Sequence, residues 1–123
     1  MPNYLLLLHA DPATPEERDE RQAEMPVWIE LNESLREAGV LAGNGQLFDS
    51  EAAASVRVTG GEAQVTDGPF AETKEVLAGY YVVSCGDIDE ALTVAARLPL
   101  ARYGTVEVRP IRPEGATPPA ADG

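Results

Sequence analysis

Cysteine, histidine and lysine each occur once in this 123-residue sequence, as Cys85, His9 and Lys74. With a single cysteine, neither a disulfide nor a metal site built from several thiolates can form within one chain. Long apolar runs are also missing. Leu5 to Leu8 is too short to span a bilayer or to form the core of a signal peptide, so we expect the protein to stay in the cytoplasm.

Basic residues are scarce as well. Lysine and arginine number 9 against 21 aspartates and glutamates, which gives a formal net charge of −12 at pH 7. A field of that sign repels phosphate backbones and anionic lipid heads, so we expect neither a nucleic acid nor a membrane surface as a partner. The hydrophobic content of 44% is that of an ordinary globular protein, and the length suits one domain.

The first part of the chain predicts a strand at 3–9, a helix from 14 to 38 and a strand at 40–48. Thr14 and Glu17 have the spacing of a capping box, and Gly39 suits the left-handed position that follows a helix. Pro26 removes one hydrogen bond from the helix interior, so we expect a kink or a break there. The apolar stripe of this helix is predicted to contain Met25, Trp28, Ile29, Leu31 and Leu35.

The second part predicts a hairpin turning at Gly60 and Gly61, a strand at 78–84, a helix capped by Asp87 and a strand at 105–111. Taking the two glycines as a tight turn pairs Val56 with Val65 and Val58 with Ala63. Ile88, Ala91, Leu92, Ala95 and Leu98 form the predicted buried stripe of the second helix.

This order predicts an α+β domain with a ferredoxin-like split βαβ sandwich, an antiparallel sheet and an inserted β-hairpin. The domain is expected to occupy residues 1–111. Residues 112–123 lack apolar periodicity and are expected to form a flexible C-terminal tail.

Both helices of this fold lie on one face of the sheet, yet Leu5–Leu8 and Tyr80–Val83 place apolar side chains on both faces. Burial of apolar surface stabilises by roughly 25 cal/mol per Å², so the second face favours a cover. One hairpin covers part of it and a second copy covers more, so we expect a homodimer.

The last strand adds charge to that face. If Val106 and Val108 face the helices, Glu107 and Arg109 face the opposite side. Two interpretations stay open at this point. The pair is either an ion pair that fixes the register or the polar floor of a pocket between subunits.

The run DGPFAETKE at 67–75 is the most distinctive motif of the sequence. Asp67-Gly68-Pro69 predicts a sharp turn after which Phe70 anchors the loop in the core. Lys74 is either a solvated salt-bridge partner or a group that orients an anion in a cleft.

This motif, the strand LAGYYVV at 77–83 and the strand VEVRPI at 106–111 resemble the DGPF group of YCII-related proteins, over nearly all of residues 4–111. The resemblance implies a ferredoxin-like fold assembled as a dimeric α+β barrel, with a cleft at the sheet interface. It also implies a His/Asp pair, for which His9 and Asp11 are the candidates here, and a link to extracytoplasmic-function sigma factors.

An acid–base site is the chemistry that the residues favour. Histidine is a common general base at neutral pH, and Asp11, Asp67 or Glu107 can orient His9, although a solvent-exposed strand-end histidine is the alternative. Phe70, Lys74, Tyr81, Glu107 and Arg109 are expected to line the ligand site.

Cys85 is expected to be buried and inert, and no ligand spacing or phosphate-binding fingerprint predicts a metal or a cofactor.

The sequence leaves two candidate functions. One is a binder or acid–base enzyme for a small anionic or carbonyl compound; the other is a regulatory module that contacts a sigma factor.

Overall fold

The computed structural model describes residues 1–70 and 74–113. In chain order they form β1 (Asn3–Ala10), α1 (Pro15–Ala23), α2 (Met25–Glu37), β2 (Leu41–Gln46), β3 (Ala54–Thr59), β4 (Glu62–Asp67), β5 (Val76–Ser84), α3 (Ile88–Arg97) and β6 (Thr105–Pro110). Two short 3₁₀ turns lie at Ser50–Ala52 and Pro99–Arg102.

Four strands form one sheet in the order β2-β5-β1-β6, and every neighbouring pair is antiparallel. β1 and β2 are joined through α1 and α2 and have β5 between them, which is the split βαβ arrangement. The predicted ferredoxin-like α+β fold is therefore confirmed. β3 and β4 form a separate hairpin in which Val56 pairs with Val65 and Val58 with Ala63, as predicted.

The first helical segment is divided in two, as Pro26 predicts. Glu24 ends α1, and Pro26 lies in the first turn of α2, where the N–H that proline lacks is not needed. The capping box is also present. The Glu17 N–H donates to Thr14 Oγ1 at 3.2 Å, and the Thr14 N–H donates to Glu17 Oε1 at 3.0 Å. Gly39 follows α2 with a φ of 74°.

One hydrophobic core lies between the sheet and the helices. Its buried side chains come from β1, α2, β5, α3 and the turn after α3: Tyr4, Leu6, Leu8, Ala10, Leu31, Leu35, Tyr81, Val83, Cys85, Ala91, Val94, Ala95, Leu98 and Leu100. Val106 and Val108 pack against this core, which confirms their predicted orientation.

The predicted helix stripes were wrong at three positions, since Ile29, Ile88 and Leu92 are exposed. Ile29 lies two residues before the buried Leu31, about 200° away around the helix, so the two side chains cannot share one face. In α3 the buried stripe includes Val94, and Ile88 and Leu92 lie at its solvent side.

None of the helices formed by residues 1–70 and 74–113 lies on the opposite side of the sheet, and we call this side the open face. The strand register places Leu5, Leu7 and His9 of β1, Tyr80 and Val82 of β5, and Glu107 and Arg109 of β6 on this side. Leu5, Leu7 and Val82 are partly exposed and Tyr80 is exposed. The Tyr80 ring lies over Gly45 so closely that a Cβ built on Gly45 would be 2.6 Å from it.

The hairpin does not bury its own apolar face, because Val56, Val58 and Val65 are all exposed. No helix among the described residues is long and apolar enough to cross a membrane. Of the predicted tail, residues 112 and 113 are exposed, and residues 114–123 lie outside the described part of the chain.

Candidate functional site

The first candidate site lies at the end of β1 on the open face, where the single histidine meets a carboxylate. His9 Nε2 is 3.4 Å from Glu107 Oε1. The strand register brings His9 and Glu107 together as diagonal neighbours. His9 pairs with Thr105, and Leu7, two residues earlier in β1, pairs with Glu107. The histidine side chain is 28% exposed and the glutamate side chain 50% exposed, so water reaches both groups in the single chain.

Two cations lie near this pair along the backbone. Arg109 follows Glu107 by two residues on β6, which places it on the same face about 7 Å further along the strand. Lys74 is exposed and comes two residues before Val76, which pairs with Ala10 at the same end of the sheet. Arg109 itself pairs with Leu5, four residues before His9 along β1.

A hollow of about 800 Å³ opens beside His9, and we call it the His9 hollow. Its lining joins the sheet end to the base of the hairpin: His9, Leu47, Phe48, Asp49, Ser50, Glu51, Ala52, Ala53, Gly68, Pro69, Val76 and Leu77. Gly68 has a φ of 99°, and both its N–H and its carbonyl form hydrogen bonds. Its N–H donates to the Ala53 carbonyl at 2.7 Å, and its carbonyl accepts from Ser55 Oγ at 2.9 Å.

The DGPF turn thus brings its glycine and proline to His9, but not all of its side chains. Asp67 is exposed at the end of β4 opposite Ala54 and is not among the residues that line the hollow. Phe70 is 82% exposed, so the prediction that it anchors the loop in the core was wrong. Its ring instead faces the Arg57 guanidinium, 5.7 Å from the ring centroid. The motif residues 71–73 lie outside the described part of the chain.

Asp11 and Tyr81 lie on the other side of the sheet. Both line a second cleft of about 630 Å³ between the sheet, α1, α2 and the segment after β2, which we call the helix-side cleft. Tyr81 pairs with the buried Leu6, so strand alternation places it on the helix side, whereas Asp11 comes after β1 ends at Ala10 and alternation does not fix its direction. The structure therefore places His9 with Glu107, and Asp11 in a different cleft.

Tyr81 is the most buried of the predicted site residues, at 4% exposure. Its hydroxyl donates to Asn32 Oδ1 at 2.5 Å and is also hydrogen-bonded to the Asn44 side chain. Burial raises the pKa of the phenol, and Asn44 and the Arg36 charge oppose this shift. The Trp28 ring lies 6.2 Å away between centroids, tilted by 33°.

The end of the helix-side cleft is closed by an aromatic and charged cluster. The Arg21 guanidinium lies 4.2 Å from the centre of the Tyr103 ring, and Arg102 donates to Glu24 Oε1 at 2.7 Å. Burial raises the pKa of the Tyr103 phenol, with Arg21 opposing the shift. These contacts fasten the turn after α3 to the junction of α1 and α2, which fixes the width of the cleft.

Cys85 is buried in the core, as expected. Burial raises the pKa of its thiol, and the carboxylates of Glu90 and Asp87 add to this effect. A neutral thiol is a poor nucleophile, which argues against a cysteine mechanism. Within residues 1–70 and 74–113 no group of three or more histidine, cysteine or acidic side chains is placed to hold a metal ion.

Sequence reasoning missed the helix-side cleft. One signal was present: Asn32 lies four residues after Trp28 and next to the buried stripe of α2, where an apolar residue is usual. Another was Asn44 between two glycines in a strand, since asparagine and glycine are both disfavoured there.

Comparison with known proteins finds one family model and one relative that are similar to this chain. The model of the YCII-related domain matches residues 3–114. An uncharacterized protein of Rhizobium meliloti (strain 1021) is 48% identical over 77 residues, which are 61% of this chain and 62% of that relative. The aligned part thus spans less than two thirds of the relative's length.

Proposed function

We propose that this protein, which belongs to the YCII-related family, is a homodimer that binds a small carbonyl-containing anion at the His9 hollow and exchanges protons with it. One observation carries the proposal: the only histidine of the chain lies 3.4 Å from the Glu107 carboxylate on a face that none of the described helices covers. An imidazole oriented by a carboxylate is the usual form of a general base near neutral pH.

The open face supports the dimer in this proposal. Its apolar side chains flank the His9–Glu107 pair, with Leu7 opposite Glu107 and Leu77 opposite His9. A second copy packed on this face would bury these side chains and lower the water content around the pair. Electrostatic interactions strengthen when water is excluded, so the dimer would favour proton transfer at His9.

The cations give the site its preference for an anion. Arg109 is a fixed fork of N–H donors that suits a carboxylate, and Lys74 is a mobile point charge. Because the whole chain carries −12, an anion needs such local positive charge to bind at all. A ligand with a carboxylate and an adjacent carbonyl can place the carboxylate at Arg109. The carbon next to the carbonyl, which carries the proton to be exchanged, then faces His9.

Pyruvate tests the proposal, because a base that removes a proton from its methyl group speeds deuterium exchange with D₂O. Proton NMR measures that exchange with no knowledge of the natural substrate. We expect exchange above the buffer rate, lowered about a hundredfold by His9→Gln or Glu107→Gln. Arg109→Ala and Lys74→Ala should raise the pyruvate concentration needed for half-saturation and change the saturated rate less.

Glu62→Gln, which removes a carboxylate at the far end of the hairpin, is the matched control and should exchange like the unmodified protein. Exchange at the buffer rate with the unmodified protein, or exchange that survives both His9→Gln and Glu107→Gln, contradicts the acid–base proposal.

The regulatory alternative is a contact with an extracytoplasmic-function sigma factor. It predicts no exchange, no ligand-induced rise in melting temperature, and copurification with a sigma factor from the native host. A cytoplasmic location and the lack of a nucleic-acid partner likewise stay predictions from the sequence.

A further inference from the structure

The helix-side cleft is separate from the His9–Glu107 pair and has a different chemistry. It lies between the helices and the buried face of the sheet, so a dimer formed through the open face leaves it accessible. Its volume of about 630 Å³ is within the usual range for small-molecule sites. The cleft can therefore hold a ligand whether or not the proposed function at His9 is correct.

The floor of this cleft is polar but uncharged. The Tyr81 hydroxyl has used its only proton on Asn32 Oδ1, and the Asn44 side chain bonds to the same hydroxyl. With its oxygen committed to Tyr81, Asn32 still has the two N–H groups of its amide as donors. Asn32 is partly exposed, and it lines the cleft. A hydrogen-bond acceptor on a ligand thus finds a preorganised donor there.

The walls around this floor are largely apolar. Leu8 and Leu100 belong to the buried core, and Trp28 packs against that core. Met25 supplies an adaptable thioether one turn before Trp28 on the same helix. Such walls favour a ligand with an apolar ring or chain rather than a compact polar molecule.

The two cations that line the cleft are already paired. Arg18 lies 3.7 Å from Asp49, and Arg21 lies 3.7 Å from Glu17 as well as over the Tyr103 ring. Asp11 adds negative charge to the lining. A carboxylate on the floor would lose its hydration among neutral groups without meeting an unpaired cation of the lining, which makes binding of an anion costly.

We propose that the helix-side cleft binds an uncharged carbonyl compound with an apolar body, whose carbonyl oxygen accepts a hydrogen bond from the side-chain amide of Asn32. The ligand class differs from the anion proposed for the His9 hollow because the two floors differ in charge. Trp28 covers the apolar part of the ligand, and Tyr81 fixes the orientation of Asn32.

Trp28 is the only tryptophan of the chain, so its fluorescence reports on this cleft directly. Cyclohexanecarboxamide is a suitable probe because it does not absorb where tryptophan does. Cyclohexanecarboxylate has the same ring and a negative charge, and methylcyclohexane has the ring without a polar group. We expect a saturable change with the amide and an affinity at least about tenfold weaker for each of the other two probes.

Two tyrosines of β5 provide a matched pair of variants, since adjacent residues of a strand face opposite sides. Tyr81→Phe removes the hydroxyl that orients Asn32 and should weaken amide binding about fivefold to tenfold. Tyr80→Phe makes the same change on the open face and should leave binding unaltered. Asn32→Ser removes the amide N–H groups and leaves a shorter hydroxyl, and amide binding should fall by at least as much as in Tyr81→Phe.

Equal affinity for the amide and the carboxylate, or equal effects of Tyr81→Phe and Tyr80→Phe, overturns the proposal. If Tyr81→Phe or Asn32→Ser does not fold, the same question is answered by the side-chain amide NMR signals of Asn32 in the unmodified protein. Those signals must shift on saturation with the amide, and unshifted signals also overturn the proposal. Glu107→Gln separates the two sites, because loss of amide binding in this variant would place the amide at the His9 hollow instead.

Discussion

Leu6 and Leu7 are adjacent in β1 and face opposite sides of the sheet, so replacing each by alanine tests both the core and the proposed dimer. Leu6 has no exposed surface and lies opposite Tyr81 and Val108. Leu7 is partly exposed on the open face, opposite Tyr80 and Glu107.

The expected magnitudes follow from that difference in burial. Leucine-to-alanine changes in cores cost about 2–5 kcal/mol, and a side chain with no exposure belongs in the upper half of this range. Complete burial of a leucine stabilises by about 1.5–3 kcal/mol, so the partly exposed Leu7 contributes about 1 kcal/mol in an isolated chain. In a dimer Leu7 becomes buried in both copies, and its replacement costs correspondingly more.

Urea unfolding at two protein concentrations that differ a hundredfold separates these cases. For a dimer that unfolds to monomers, this difference adds about 2.7 kcal/mol per dimer to the free energy of unfolding. We expect the unmodified protein and Leu6→Ala to show this dependence, with Leu6→Ala less stable at both concentrations. Leu7→Ala should destabilise mainly the dimer, which light scattering detects as dissociation at the lower concentration.

Two results would refute this reasoning. A midpoint that is the same at both concentrations, with a scattering mass of one chain, means that the open face has no second copy on it. A larger loss for Leu7→Ala than for Leu6→Ala in a monomeric protein means that the two faces of β1 are assigned the wrong way round.

Two further predictions concern local chemistry. Thr14→Ala should lower stability by about 1 kcal/mol in urea unfolding, because it removes the side-chain cap of α1. The hydrogen bond from the Thr14 backbone N–H lowers the pKa of the Glu17 carboxyl. The stability that this backbone bond contributes is therefore present above the ordinary glutamate pKa and is lost as pH falls through the lowered value. Cys85 should react with a disulfide reagent only when the protein unfolds, because its thiol is buried and burial raises its pKa. The stability linked to this raised pKa is present below the ordinary thiol pKa and is lost as pH rises through the raised value. Rapid labelling of the folded protein at neutral pH would contradict the burial of Cys85.

The features that were predictable from the sequence depend on neighbours in the chain or on strict alternation. The capping box at Thr14, the break near Pro26 and the hairpin register around Gly60 are local, and the structure contains all three. Val106 and Val108 pack against the core, so the condition on which Glu107 and Arg109 were expected to face the opposite side is met.

The features that were missed depend on contacts between distant segments. Phe70 looked like a core anchor, but it follows the exposed hairpin and its ring faces Arg57 instead. Tyr81 was expected in the ligand site, whereas its partner Asn32 was not, since the two residues are 49 positions apart. Composition gives no sign of which helix position will face a given strand position.

A single irregularity of β5 connects the two candidate sites. Leu8 pairs with Gly79 and His9 with Leu77, so Ala78 is an extra residue in this strand. The bulge changes the alternation of β5, and as a result Leu77 rather than Ala78 lies beside His9 on the open face.

The same bulge also holds the wall that the two sites share. The Ala78 carbonyl accepts a hydrogen bond from the Leu47 N–H at 2.9 Å, which attaches the segment 47–51 to the sheet edge. This segment lines the His9 hollow on one side and the helix-side cleft on the other. Gly79 permits the attachment, because a Cβ built there would be 2.8 Å from the Gly45 carbonyl oxygen of β2. A ligand that displaces the segment 47–51 in either site therefore changes the shape of the other, so the two proposed ligands should influence each other's affinity through this wall.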